Sequence, residues 1–175
     1  MVPMWMQISG RRVFALVSAV CVALLAFGFY LQHGVGLEPC PMCIVQRYCL
    51  LVIAVACGVG AAIGNSPRWL GAWGAVGLVF SVGGAFVAAR QSFLQWYPPE
   101  VVTCGRDFYG MVESFPLQRA IPMIFKGSGD CAAVDWTFLG GSIANWSFVC
   151  FAGIAVVLLM LALRSMCAKR CTKGC

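Results

Sequence analysis

The chain has 175 residues, enough for one compact domain. Hydrophobic residues make up 61% and charged residues 10%, too little polar surface to coat a water-soluble globule. A net charge of +6 raises nucleic acid as a partner, but the basic residues cluster at chain ends and short turns beside apolar runs, the pattern of membrane orientation.

A helix needs about 20 apolar residues to cross the hydrocarbon core. Four segments meet this: 13–31, 44–63, 70–89 and 146–163. Each is too long and too uniformly apolar for a soluble amphipathic helix. The first is long for the core of a signal peptide and is followed by no convincing small-residue cleavage site, so it reads as a retained span. The second and third are rich in Gly and Ala, which lets helices approach closely in lipid. The fold expected is an all-α membrane protein, a four-transmembrane-helix bundle in a single domain over 1–175. It has two outward-facing loops, 32–43 and 90–145, and a C-terminal tail, 164–175.

Lysine and arginine set the orientation. Arg11 and Arg12 precede the first span, Arg68 lies between the second and third, and Arg164, Lys169, Arg170 and Lys173 follow the fourth. No acidic residue accompanies them, whereas all six acidic residues lie on the other side. The positive-inside bias puts both termini in the cytoplasm. The two loops then face outward, which in a bacterium is the periplasm, where disulfides persist.

Of the 11 cysteines, Cys21, Cys49, Cys57 and Cys150 fall in apolar runs and read as small hydrophobes. Cys40, Cys43, Cys104 and Cys131 fall in the two outward loops. The long loop interleaves apolar residues with few charges from Asp107 to Phe125, which suits a segment lying on the bilayer surface, and Pro116 and Pro122 oppose one continuous helix. Gly127 and Gly129 give flexibility just before Cys131. Cys104 and Cys131 fit either a static staple or a redox pair.

The stretch "EPCPMCIVQR" carries the most chemistry. Cys43 is expected at the start of the second span, beside the free N–H groups and positive dipole end of a helix. Arg47, four residues on, shares its face one turn deeper. Both features favour the thiolate, the reactive form. An arginine here either snorkels to headgroups or serves a site, and its register with Cys43 favours the site. The Cys-x-x-Cys spacing suits half a zinc site or a redox pair; an oxidising compartment without a second such pair favours redox, and no metal is expected. His33, the sole histidine, cannot give bis-His haem ligation and reads as a polar interface residue. A dithiol needs a two-electron acceptor, and the chain has no dinucleotide fingerprint. A lipid-soluble quinone meets the need, with Arg47 hydrogen-bonding its carbonyl.

The stretches "EPCPMCIVQR", "ARQSFLQWYPPEVVTC" and "IPMIFKGSGDCAAVDWTFLG", set among four spans, closely resemble the disulfide bond formation protein B (DsbB) family over nearly the whole chain. The resemblance implies a quinone-coupled thiol oxidoreductase of the bacterial inner membrane that reoxidises DsbA, a soluble periplasmic thioredoxin-fold oxidase. It implies two disulfides, Cys40–Cys43 and Cys104–Cys131. A partner thiolate would attack Cys104, Cys131 would engage Cys40, and Cys43 would meet ubiquinone or menaquinone with support from Arg47. Each step is thiolate exchange. Some members carry histidine after the arginine that closes the third span; here the pair is Arg90-Gln91, and glutamine hydrogen-bonds a quinone without titrating. Trp136 matches a position near the quinone region and also suits an interfacial anchor. The tail cysteines Cys167, Cys171 and Cys175 lie outside the family pattern and read as free thiols. The alternative is a four-span structural or adhesion protein whose loop disulfides are static; it leaves Arg47 without a role and gains little from a bridge across two residues.

Overall fold

The computed structural model describes residues 10–37, 39–63, 67–98 and 136–173. Four helices dominate it: α1 (Gly10–His33), α2 (Pro41–Ile63), α3 (Pro67–Trp96) and α4 (Ile143–Lys173). All four are long and apolar enough to cross a membrane. The expected all-α, four-span membrane bundle is the observed architecture.

The helix limits differ from the apolar runs for local reasons. Helix α2 starts at Pro41 rather than 44, because proline suits the first helical position, where its fixed φ fits and no N–H is needed. Helix α3 continues to Trp96 rather than ending at Ala89, so Arg90, Gln91 and Gln95 are helical rather than part of a loop. Polar residues do not end a helix; Pro98 does, by disfavouring helical backbone at Tyr97 before it. A last Tyr97 N–H bond to the Phe93 carbonyl, 2.9 Å, closes the end. Helix α4 runs through most of the segment expected as a tail, to Lys173.

Helix α2 packs on α1 and α3, and α3 packs on α4. The interior joins Phe14, Val17 and Cys21 of α1, Ile53 and Cys57 of α2, and Phe151, Ile154 and Leu158 of α4. Cys21 and Cys57 are fully buried there, as small hydrophobes in apolar runs should be. The outer face carries Leu16, Val20, Val79, Phe86 and Leu163, all exposed. Apolar side chains on the outside suit a solvent of lipid tails.

Small residues set the helix spacing. A Cβ at Gly60 would stand 2.8 Å from the Phe14 ring, and one at Gly84 would overlap the Phe151 ring. The expected role of glycine in the second and third spans is thus visible as ring-on-backbone packing.

Just before α4, a short hairpin pairs β1 (Thr137–Phe138) with β2 (Gly141–Ser142), antiparallel. Its two-residue turn has positive φ at both Leu139 (50°) and Gly140 (79°), the geometry whose twist matches paired strands. The strands are too short to be read from periodicity, and the sequence alone suggested only loop here.

Replacing Gly84 by Ala is expected to destabilise the bundle by about 1–3 kcal/mol, because the Phe151 ring must move. Gly83→Ala, whose Cβ meets nothing within 4 Å, is the control and should be neutral or slightly stabilising. Thermal unfolding of the two variants in detergent checks this; equal behaviour would refute the packing account.

Candidate functional site

The N-terminus of α2 builds the centre. Cys40 occupies the capping position: its carbonyl accepts the Ile44 N–H at 3.1 Å, and its sulfur accepts the Cys43 N–H at 3.3 Å. A sulfur thus does what a serine or aspartate oxygen does at most helix starts. Capping folds Cys40 back over the first turn and brings its Sγ to 2.7 Å from Cys43 Sγ. Cys40 is buried and Cys43 half-buried. The sulfurs therefore lie at the positive end of the helix dipole, as expected for Cys43 and now for both.

Helix α3 supplies their polar partner. Gln91 Nε2 lies 3.2 Å from Cys40 Sγ and 3.3 Å from Cys43 Sγ, in position to donate to both. Gln91 Oε1 accepts from Gln46 Nε2 at 2.7 Å, one α2 turn below Cys43. Both glutamines are buried. Extension of α3 beyond Ala89 is what makes this possible, since Gln91 would have no fixed direction in a loop.

Arg47 turns the other way, towards α1. Its guanidinium donates to Gln32 Oε1 and to the Gly28 carbonyl, the latter at 3.0 Å, and lies 5.4 Å from the centroid of the Phe29 ring. A charge near the end of a span is thus satisfied by a carbonyl, an amide and an aromatic face. The sulfurs receive their amide donor from Gln91, while Arg47 lines the same cavity one turn deeper.

That cavity measures ≈ 200 Å³ and is walled by all four helices. Cys40, Cys43, Gln91 and Arg47 form its polar side; Leu24, Phe27, Leu50 and Phe151 are among its apolar walls. A cavity of about 150 Å³ accommodates a benzene ring, so this one admits a single substituted ring. Among the described residues that line it, Arg47 is the one carrying a permanent charge.

The hairpin and α4 close the cavity on a further side. Trp136 packs edge-on to Phe27 at 6.2 Å and stacks on Phe138 at 6.0 Å. Trp146 donates its indole N–H to the Phe138 carbonyl at 2.9 Å. Ser142 accepts the Asn145 N–H at 3.4 Å, capping α4, and its hydroxyl donates to Gln95 Oε1 on α3. The hairpin is thereby tied to both helices.

Of the site residues expected from sequence, Cys40, Cys43, Arg47, Gln91 and Trp136 all line one cavity. Cys104 and Cys131 lie outside the described residues. The remaining cysteines of the tail contribute no described side chain. His33 stacks parallel to Phe29 at 6.3 Å, in the last turn of α1.

The family profile described as "Disulfide bond formation protein DsbB" matches residues 10–161. The chain belongs to this family. It is 67% identical over 165 residues to disulfide bond formation protein B of Paracidovorax citrulli, covering 94% of each chain. To the protein of that name from Polaromonas naphthalenivorans it is 69% identical over 154 residues, 88% of this chain and 92% of the other. A more distant relative from Aromatoleum aromaticum is 52% identical over 156 residues, 89% and 94% of the two chains. The DsbB resemblance read from the three quoted stretches is therefore correct. The chain is a multi-pass membrane oxidoreductase of disulfide bond formation.

Three residues of this candidate site escaped the sequence reading: Gln32, Gln46 and Gln95. A signal was present. A carboxamide within an apolar run is costly unless partnered, and Gln46 falls three residues after Cys43 on the same face. What the sequence lacks is the identity of the partner, because Gln46 and Gln91 lie on different helices.

Ser142→Ala is expected to cost about 1 kcal/mol through loss of the α4 cap, and to free the hairpin from Gln95. Thermal unfolding measures the first effect, and faster proteolysis near Leu139 in the variant would report the second. Unchanged values in both would contradict the tie.

Proposed function

We propose that this protein is a quinone-dependent thiol oxidoreductase that reoxidises a DsbA-like periplasmic thioredoxin-fold dithiol oxidase. The observation that carries this reading is the ring-sized cavity beside the Cys40–Cys43 pair, walled by apolar side chains and floored by Arg47. A two-electron acceptor that partitions into lipid would enter such a cavity from the bilayer. The static-disulfide alternative gives the cavity no use.

In this reading the four cysteines form two disulfides, Cys40–Cys43 and Cys104–Cys131. The reduced partner's thiolate attacks Cys104, and Cys131 leaves as the new thiolate. Cys131 then attacks Cys40, which releases Cys43 and transfers the reducing equivalents to the α2 pair. Resolution restores Cys104–Cys131, frees the oxidised partner and leaves Cys40 and Cys43 reduced. Overall, two thiols and one quinone give one disulfide and one quinol. Ubiquinone or menaquinone supplies the capacity for two electrons and two protons.

The chain's own residues divide the work. Cys43, at the helix N-terminus, faces the cavity as the last thiol of the relay. Arg47, fixed by Gln32 and Gly28, offers positive charge to a ring carbonyl. Gln91 and Trp136 border the ring. The apolar walls exclude water, which strengthens each polar contact inside. The protein lies in the bacterial inner membrane with both termini cytoplasmic and the loops 32–43 and 90–145 periplasmic, as the arginine and lysine placement supports.

The test is quinone reduction by the purified protein in detergent, driven by a reduced thioredoxin-fold partner. Cys43→Ser and Cys104→Ser are each expected to drop turnover to background while leaving membrane insertion intact; full turnover in either would refute the relay. Arg47→Ala is expected to raise the quinone KM at least about tenfold, the loss of one hydrogen bond from a charged donor, with partner KM unchanged. An equal change in both constants, or in neither, would contradict the role of Arg47.

A further inference from the structure

We propose that Gln46 is a positioning residue that sets the direction of the Gln91 carboxamide, so that Gln91 stabilises the thiolate of the Cys40–Cys43 pair. This rests on the reading of that pair as reactive. It gives Gln91 a task at the sulfurs besides any contact with a ring in the cavity.

The argument begins with the bonds available to one carboxamide. Gln91 has two N–H donors and one oxygen. Its nitrogen lies 3.2 and 3.3 Å from the two sulfurs, which are 2.7 Å apart, so one N–H faces the pair as a shared donor. Its oxygen lies 3.8 Å from Cys43 Sγ but 2.7 Å from Gln46 Nε2, so Gln46 holds it. With the oxygen engaged there, the amide presents a donor to the pair. A donor to sulfur favours the charged form over the thiol. The bond from Gln46 also polarises the Gln91 amide, which strengthens its own N–H donation.

The direction matters because the reverse arrangement does the opposite. If both amides turned over, Gln91 Oε1 would face the sulfurs. It would then accept from two thiols and oppose a thiolate. Gln46 favours the first arrangement through its 2.7 Å donation to Gln91 Oε1, with both glutamines buried. Neither amide titrates, so the support given to the sulfurs is independent of pH.

The charged and titratable groups around the pair are few among the described residues. Helix α2 contributes Arg47, directed to Gln32 and Gly28 of α1. Helix α3 contributes the uncharged Gln91 and Gln95, with Arg90 set over the Phe93 ring at 5.6 Å. Helix α4 contributes the Cys150 thiol on the cavity wall. Gln91 lies within reach of both sulfurs.

The experiment is site-resolved iodoacetamide labelling of Cys43 in the fully reduced, full-length protein, read by mass spectrometry across a pH series. Gln91→Met is expected to move the labelling profile to higher pH, with about tenfold slower labelling at a fixed pH below the midpoint, the effect of one pH unit. Gln46→Met is expected to move it the same way but less. The double variant should match Gln91→Met alone, because Gln46 acts only through Gln91. Additive shifts would overturn the positioning role. An unchanged profile in Gln91→Met would overturn the donor role, and a profile moved to lower pH would show the reverse amide direction. If Gln46→Met does not fold, Gln46→Asn, polar but one methylene short of Gln91, makes the same comparison. The labelling uses neither quinone nor partner, so failure here is distinguishable from failure of quinone turnover.

Discussion

In hydrocarbon, a polar group without a partner costs several kcal/mol, and lipid supplies none. The Cys40 end of the bundle gathers two sulfurs, four glutamines, an arginine and a helix N-terminus under that constraint. The protein meets it from within. Cys40 caps its own helix, Gln91 spans both sulfurs, Gln46 holds Gln91, and Arg47 is taken up by α1. Each of these bonds joins different elements or turns, so satisfying the polar atoms also fixes where the helices stand. Structure and chemistry here have a single origin: the polar groups gathered where α2 begins are satisfied by binding one another.

The apolar part of the bundle prepares that arrangement. Glycines in α2 and α3 let Phe14 and Phe151 lie against backbone, which brings four helices together around a solid lower core. Above it the packing opens into the ≈ 200 Å³ cavity, whose wall includes the same Phe151. Movement of that ring would thus alter both the bundle and the space beside Cys43. The hairpin before α4 completes the enclosure through Trp136 and Trp146, and Ser142 anchors it to Gln95 on α3.

Glutamine has a particular consequence at this site. A histidine in place of Gln91 would bring a charge that appears and disappears near neutral pH. A carboxamide brings fixed donors and a fixed acceptor. Its influence on the sulfurs depends on direction rather than on protonation, which is why a second buried glutamine matters. Arg47 supplies the only permanent charge among the described cavity residues, and its bonds to α1 hold that charge a turn away from the sulfurs.

Much of this was legible from residue order. Four apolar runs of spanning length, the Cys-x-x-Cys pair and Arg47 on its helical face follow from composition and periodicity, which are local. The limits of the helices were less legible. Pro41 and Pro98 set them, yet hydropathy marks only where lipid contact ends, so Gln91 was read as the start of a loop. The hairpin was not visible, because strands of two residues have no period to detect. By itself the sequence determined the class of protein, the number of spans and the family, since each rests on local chemistry. Only the tertiary structure decided that Gln91 lies across both sulfurs, that Gln46 bonds its carboxamide oxygen and that Arg47 turns to α1. These pairings join separate helices, and helix–helix register in lipid depends on how glycine faces and rings fit together, which no single segment encodes.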